Sequence, residues 1–258
     1  LHFGRDRPEL LEPLLDALRA AEPDLVAVSG DLTQRARHAQ FRAARAFLDR
    51  LPAPALVVPG NHDTPLDHLA LRLARPWSRW RRWIGPEPAP RVAQPGLVAV
   101  GINTANPLDW RRGRFRKRDV AEAARIFERA GGAAKIVVLH HPLLHGPTAR
   151  GAPMRGAARA LDALAEAGAD VALSGHLHRW SAGAHVAGRA REAGVLLVAA
   201  GTGLSTRGRG APNDFNLLEI EDDRIAVTRF AAGRDGAAFL RVGAAAFRRG
   251  EAGWACGA

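Results

Sequence analysis

Four short polar motifs in this chain each follow an apolar run. Asp31 closes Ser29-Gly30-Asp31 after Leu25–Val28, and Asn61, His62 and Asp63 follow Ala55–Val58. His140 and His141 follow Ile136–Leu139, and His176 and His178 sit in Gly175-His176-Leu177-His178 after Val171–Leu173. Imidazole suits Zn, Fe, Co or Mn, while carboxylate and amide oxygens favour harder ions such as Mn. A His/Asp/Asn set without thiolates argues against a structural zinc site, which would use cysteines. Such a set points to metal-assisted hydrolysis, in which two ions about 3.5–4 Å apart can clamp a phosphoryl displacement. Each motif alone is weak, because a single His after a strand is more often packed than ligating. Four of them in order, each at a strand end, carry the inference together.

The elements that must position these residues follow from periodicity. Leu10, Leu11, Leu14, Leu15 and Leu18 repeat at helical spacing over residues 8–21, with Asp6 and Glu9 expected to cap that helix. Further helices are expected over about 34–50, 119–130 and 157–167, alternating with the apolar runs above and with Leu97–Val100 and Val195–Val198. Alternation of this kind predicts an α/β fold with largely parallel strands. In such sheets the carboxyl ends of the strands collect on one edge, where sites form. Near the end the pattern changes: Phe215–Ile220 and Ile225–Phe230 flank Asp222-Asp223 and predict a hairpin.

Composition sets the outer limits. The chain has 258 residues, of which 47% are hydrophobic and 24% charged, the balance of an ordinary globular protein. No apolar run is long enough to span a bilayer, so a cytoplasmic location is the expectation. Cys256 is the single cysteine, which leaves no internal disulfide. The net charge of +11 is concentrated: between Arg72 and Arg118 twelve Arg or Lys residues face only two acids, Glu87 and Asp109. Such a patch attracts anions, nucleic acid among them. The bland reading is a GC-rich coding bias, since Lys occurs only at Lys117 and Lys135.

With the motifs in order, a resemblance becomes plain. Gly30-Asp31, Gly60-Asn61-His62-Asp63, His140-His141-Pro142 and Gly175-His176-Leu177-His178 resemble the motif series of calcineurin-like metallophosphoesterases. The wording around them is similar to the bacterial class III cyclic-nucleotide phosphodiesterases. Leu1-His2-Phe3-Gly4 resembles the tail of the first family motif, Asp-Leu-His, without its Asp. The expectation is therefore a chain cut at its beginning, whose first strand and Asp ligand lie in a longer parent. The resemblance implies a four-layer α/β/β/α sandwich with mixed sheets, read as one domain over 1–258 with a basic excursion or cap at 72–118. It implies hydrolysis of a phosphodiester or phosphomonoester by a hydroxide bridging two divalent or trivalent ions, Mn, Fe, Zn or Co. Asp31 would bridge both ions, His2 and His178 would complete the first, and Asn61, His140 and His176 the second. His62 would face the substrate, stabilising charge or protonating the leaving oxygen, and Asp63 would orient His62. The partner implied is a small phosphate ester. The alternatives are a non-catalytic scaffold of the same fold and a nuclease-like enzyme using the basic segment.

Other polar residues are weighed against this set. His140 fits the family ligand position better than His141, for which ordinary packing is the leading reading and contact with the substrate or the outer shell the lesser one. His38, His68, His145 and His185 follow no strand and read as surface or loop residues. Trp77, Trp80 and Trp83 recur every three residues among Arg79, Arg81 and Arg82. That spacing predicts a helix with its Trp face on the core, or else a cap beside the site. Asn103-Thr104 ends a strand on the ligand edge and either supports the site or makes ordinary loop hydrogen bonds.

Overall fold

The structure, a computed structural model, describes residues 1–109, 111–145, 153–186, 194–250 and 253–257. Three sheets in two layers form its interior. One has six strands in the order β3-β4-β5-β6-β8-β7: β3 (Arg91–Gln94), β4 (Leu97–Ile102), β5 (Ala134–Leu139), β6 (Val171–Ser174), β7 (Ser181–Val186) and β8 (Gly194–Ala199). Strands β4, β5, β6 and β8 are parallel, and β3 and β7 pair antiparallel at the two edges. The other layer holds the parallel pair β1 (Val26–Val28) and β2 (Ala55–Val57), with an antiparallel sheet ordered β12-β11-β10-β9. Those four strands are β9 (Asp214–Ile220), β10 (Arg224–Ala232), β11 (Phe239–Gly250) and β12 (Gly253–Cys256).

Helices close the stack on both sides, giving the α/β/β/α sandwich. α5 (Lys117–Glu128) and α6 (Ala157–Glu166) lay Ala123, Phe127, Leu161 and Leu164 on β4 and β5. α1 (Leu11–Ala20) and α2 (His38–Leu48) pack Leu14, Leu15, Phe41 and Phe47 over β2 and the β9–β10 face. Between the sheets, Val171, Leu196 and Val198 meet Ile225, Val227 and Phe247. Leu56 and Val58 likewise meet Ala99, Ile136 and Val138. This contact explains why the central strands read as continuous apolar runs: both of their faces are covered. A groove of about 1140 Å³ runs between β1 and β9, with Leu1 and His2 at its site end.

Several local expectations need correction. Asp6 does not cap the first helix; its carboxylate accepts from the N–H of Gly4, and Glu9 pairs with Arg7. A 3₁₀ turn over Pro8–Leu10 precedes α1 instead. Residues 72–118 are not an excursion as a block, because β3 and β4 fall inside them and belong to the six-stranded sheet. Only the front part departs, as α3 (Leu69–Ala74) and α4 (Ser78–Trp83). There the Trp spacing serves the core: Trp80 is fully buried edge-on to Phe41, with Trp77 and Trp83 packed beside it. Part of the basic segment is knitted into the structure. Arg72 donates to the Pro107 carbonyl, Arg79 to the Ala36 carbonyl and Asp67, and Arg91 to Glu122. His185 lies within β7, and His68 caps α3 by accepting from the N–H of Leu71.

Candidate metal centre

The strand ends, with His2 from the first residues, bring the predicted ligands together. Close approach of the first two motifs depends on glycine. A Cβ on Gly60 would overlap the Asp31 carboxylate, and one on Gly30, whose φ is +86°, would lie 2.6 Å from His140 Nδ1. Backbone strain gathers here as well. Of the seven non-glycine residues at positive φ among the described residues, four are predicted ligands: His2, Asp31, His176 and His178. Such conformations cost energy and persist where the surroundings enforce them, commonly at functional sites.

Asp31 stands at the middle. Its Oδ2 lies 3.1 Å from His2 Nε2 and 3.5 Å from His140 Nε2, while Oδ1 accepts from the N–H of His62 at 3.0 Å. On one side the His2 ring lies 5.0 Å from that of His178 and 5.1 Å from that of His62. On the other, Asn61 Oδ1 is 3.0 Å from His140 Nε2 and 3.1 Å from His176 Nδ1. Apart from the partly buried His176, these residues are all buried.

The donor chemistry fits a cation. His140 Nδ1 lies 2.8 Å from the Ser29 carbonyl, which can only accept, so Nδ1 carries the proton. Its Nε2 then presents a lone pair to the oxygens of Asn61 and Asp31, an arrangement of acceptors that a metal ion resolves. The same logic fixes His178, whose Nδ1 donates to the Arg207 carbonyl at 2.8 Å, leaving Nε2 unprotonated. His2 Nδ1 is buried without a hydrogen-bond partner, and its Nε2 faces the Asp31 carboxylate. Burial also pushes the imidazoles down: His2 and His176 to about 3 and His178 to about 4. At neutral pH these rings are therefore neutral and able to ligate.

His62 and Asp63 are both held by main-chain partners. The acceptor for His62 Nδ1 is the Gln34 carbonyl at 2.9 Å, and its Nε2 lies 2.8 Å from an Arg207 guanidinium nitrogen. Asp63 spends its oxygens on backbone: Oδ2 accepts from the N–H groups of Leu32 and Gly60, and Oδ1 from the N–H and hydroxyl of Thr33. It thus ties the Asp31 loop to the Asn61 loop rather than gripping the His62 ring. Burial, with the Asp31 charge nearby, pushes Asp63 up to about 6.

Two triads hold ligand atoms within 4.8 Å of one another: His2, Asp31 and His62, and His140, His141 and His176. His141 therefore lies closer to the centre than its place in the motif suggested. Its Nδ1 pairs with the Thr104 hydroxyl at 2.9 Å, which makes Thr104 a support of the site. His178 falls in neither triad and joins the centre through its position beside His2. Sequence reasoning missed Arg207 and the Gln34 carbonyl, which reach the site from loops.

Residues 1–180 match the calcineurin-like phosphoesterase family. The chain belongs to that family. Over 48 residues it is 38% identical to a probable cyclic nucleotide phosphodiesterase of Synechococcus sp., 19% of each chain. Over 49 residues it is 45% identical to a glycerophosphodiester phosphodiesterase of Enterobacter lignolyticus, 19% of this chain and 17% of that one. The matched segments span about a fifth of these relatives. The solved structure of TT1561 of Thermus thermophilus shares the fold, with a TM-score of 0.50 at 14% identity over 81% of this chain and 88% of that one. No helix among the described residues is long and apolar enough to cross a membrane.

Proposed function

We propose that this chain hydrolyses a small phosphodiester with two metal ions held on either side of Asp31. The observation that carries the reading is the place of Asp31 Oδ2, between His2 Nε2 and His140 Nε2 at 3.1 and 3.5 Å. His2, Asp31 and His178 would hold one ion; Asp31, Asn61, His140 and His176 would hold the other, with Mn, Fe, Zn and Co all compatible with the donors. When bound, such ions polarise a phosphoryl oxygen and supply hydroxide near neutral pH.

The protein's own residues do the rest. His62 is fixed through Nδ1 on the Gln34 carbonyl, so its Nε2 faces the centre beside His2. On taking a second proton, that Nε2 would donate to the phosphoryl or leaving oxygen. Asp63 and Thr33 hold the two loops at the spacing that lets the Asp31 carboxylate accept from the His62 N–H. The phosphodiesterase names of the two partial relatives favour a diester over a monoester. The test is metal analysis and turnover of bis(p-nitrophenyl) phosphate by full-length protein loaded with Mn²⁺. Two ions per chain with turnover supports the proposal; protein that takes up no metal and cleaves nothing defeats it and favours the non-catalytic scaffold.

A further inference from the structure

We infer that Arg207 is a substrate-binding residue, its guanidinium seating the anionic phosphate beside His62. The inference rests on the proposed hydrolysis. Its first support is geometric. A guanidinium has donors only, so the 2.8 Å contact with His62 Nε2 requires a lone pair on that nitrogen, consistent with the proton on Nδ1 facing Gln34. Arg207 therefore points at the same spot as the group proposed to act on the phosphate.

The second support is that the main chain of Arg207 is anchored in the site. Its carbonyl accepts from His178 Nδ1, and its N–H donates to the Ser205 hydroxyl at 3.1 Å. Thr206 next to it donates twice to the Arg5 carbonyl, three residues from His2. Asn213 clamps the Ser205 carbonyl at 2.9 Å. One residue thus orients a predicted metal ligand through its backbone and reaches His62 with its side chain.

The third support is charge. Arg207 is partly buried, and no carboxylate among the described residues lies within ion-pair distance of it. Asp31 offers the attraction, and Arg209, Arg5 and Arg35 add like charge around it. A half-desolvated cation facing a neutral imidazole is poorly compensated. A phosphate seated there would accept charge-assisted hydrogen bonds from the guanidinium, whose planar fork suits two phosphate oxygens. The exposed Arg5, Arg35 and Arg209 would raise the local anion concentration.

The experiment uses full-length, Mn²⁺-loaded Arg207→Met and Arg207→Lys, with bis(p-nitrophenyl) phosphate as substrate and inorganic phosphate as a binding probe. Removal of a charge-assisted hydrogen bond predicts a KM raised about 10- to 100-fold in Arg207→Met, a weaker effect on kcat, and partial recovery in Arg207→Lys. Phosphate affinity measured by calorimetry should weaken in parallel while metal content stays unchanged, because the carbonyl that holds His178 remains. KM and phosphate affinity within about twofold of the parent would overturn the assignment, as would loss of metal in Arg207→Met, which would mark a structural role. If the parent itself turned nothing over, the hydrolase reading would fall, and the phosphate titration would still decide whether Arg207 binds the anion.

Discussion

At the scale of single residues, the arrangement around Asp31 makes two substitutions diagnostic. Asp31→Asn keeps the shape but removes the charge that both imidazole clusters share. Because Asp31 Oδ2 faces His2 on one side and His140 on the other, both ions should weaken together, with activity falling by about 10³ or more. Metal analysis after dialysis checks this, and loss of one ion only would show that Asp31 does not bridge. His62→Ala should behave oppositely. His62 is held by a main-chain carbonyl and lies over the centre, so its removal should spare both ions and cost about 10²–10⁴ in kcat. If His62→Ala emptied the site, the nearness of His62 to His2 and Asp31 would have to be read as ligation.

At the scale of elements, the loops after β1 and β2 act as one unit because Asp63 stitches them together. Its two oxygens accept from three backbone N–H groups and one hydroxyl. Asp63→Asn would turn an amide NH₂ toward donors that need an acceptor. The expected cost is about 1–3 kcal/mol of stability, read from denaturant unfolding of metal-free protein. A stability within about 0.3 kcal/mol of the parent would refute the stitching role. What the sequence made legible at this scale has a physical pattern. Strands β4, β5, β6 and β8 are covered on both faces, so their apolar runs stand out, and the ligands after β5 and β6 follow directly. The hairpin β9–β10 was equally visible around Asp222-Asp223. Strand β11 was not, because Phe239–Gly250 is rich in Ala, Gly and Arg, and most of its side chains are exposed. Pairing along all of β10, rather than its own propensity, makes it a strand. The same limit hid Arg207 and the Gln34 carbonyl: both reach the site from loops whose course is set by contacts far away in sequence, such as Thr206 on Arg5. The Asp6 cap failed for a neighbouring reason, since a competing donor two residues away claimed its carboxylate.

At the scale of the whole molecule, the centre is where separate parts of the chain are cross-linked. His2 comes from the first residues, Asp31 from the end of β1, Asn61 from the end of β2, His140 from β5, and His176 and His178 from beyond β6. Ions bound there would join both layers of sheet, so binding should stabilise the fold by mass action, about 2.7 kcal/mol at a free concentration of 100 times Kd. The pH dependence has a definite sign. Burial lowers His2 and His176 to about 3 and His178 to about 4, so protons compete with the metal only below about pH 4 at these three rings. Ordinary histidines, near 6.5, would be mostly protonated by pH 5 and would lose roughly tenfold in affinity per ring for each pH unit below that value. These three rings should therefore add no proton competition to the metal-induced rise in Tm between pH 7 and pH 5, and should erode it only as the pH falls toward 4. NMR titration of the three rings in the metal-free protein checks this: protonation near pH 6.5 would mean that these imidazoles titrate normally, and that the buried, lone-pair-rich centre opens to water in solution.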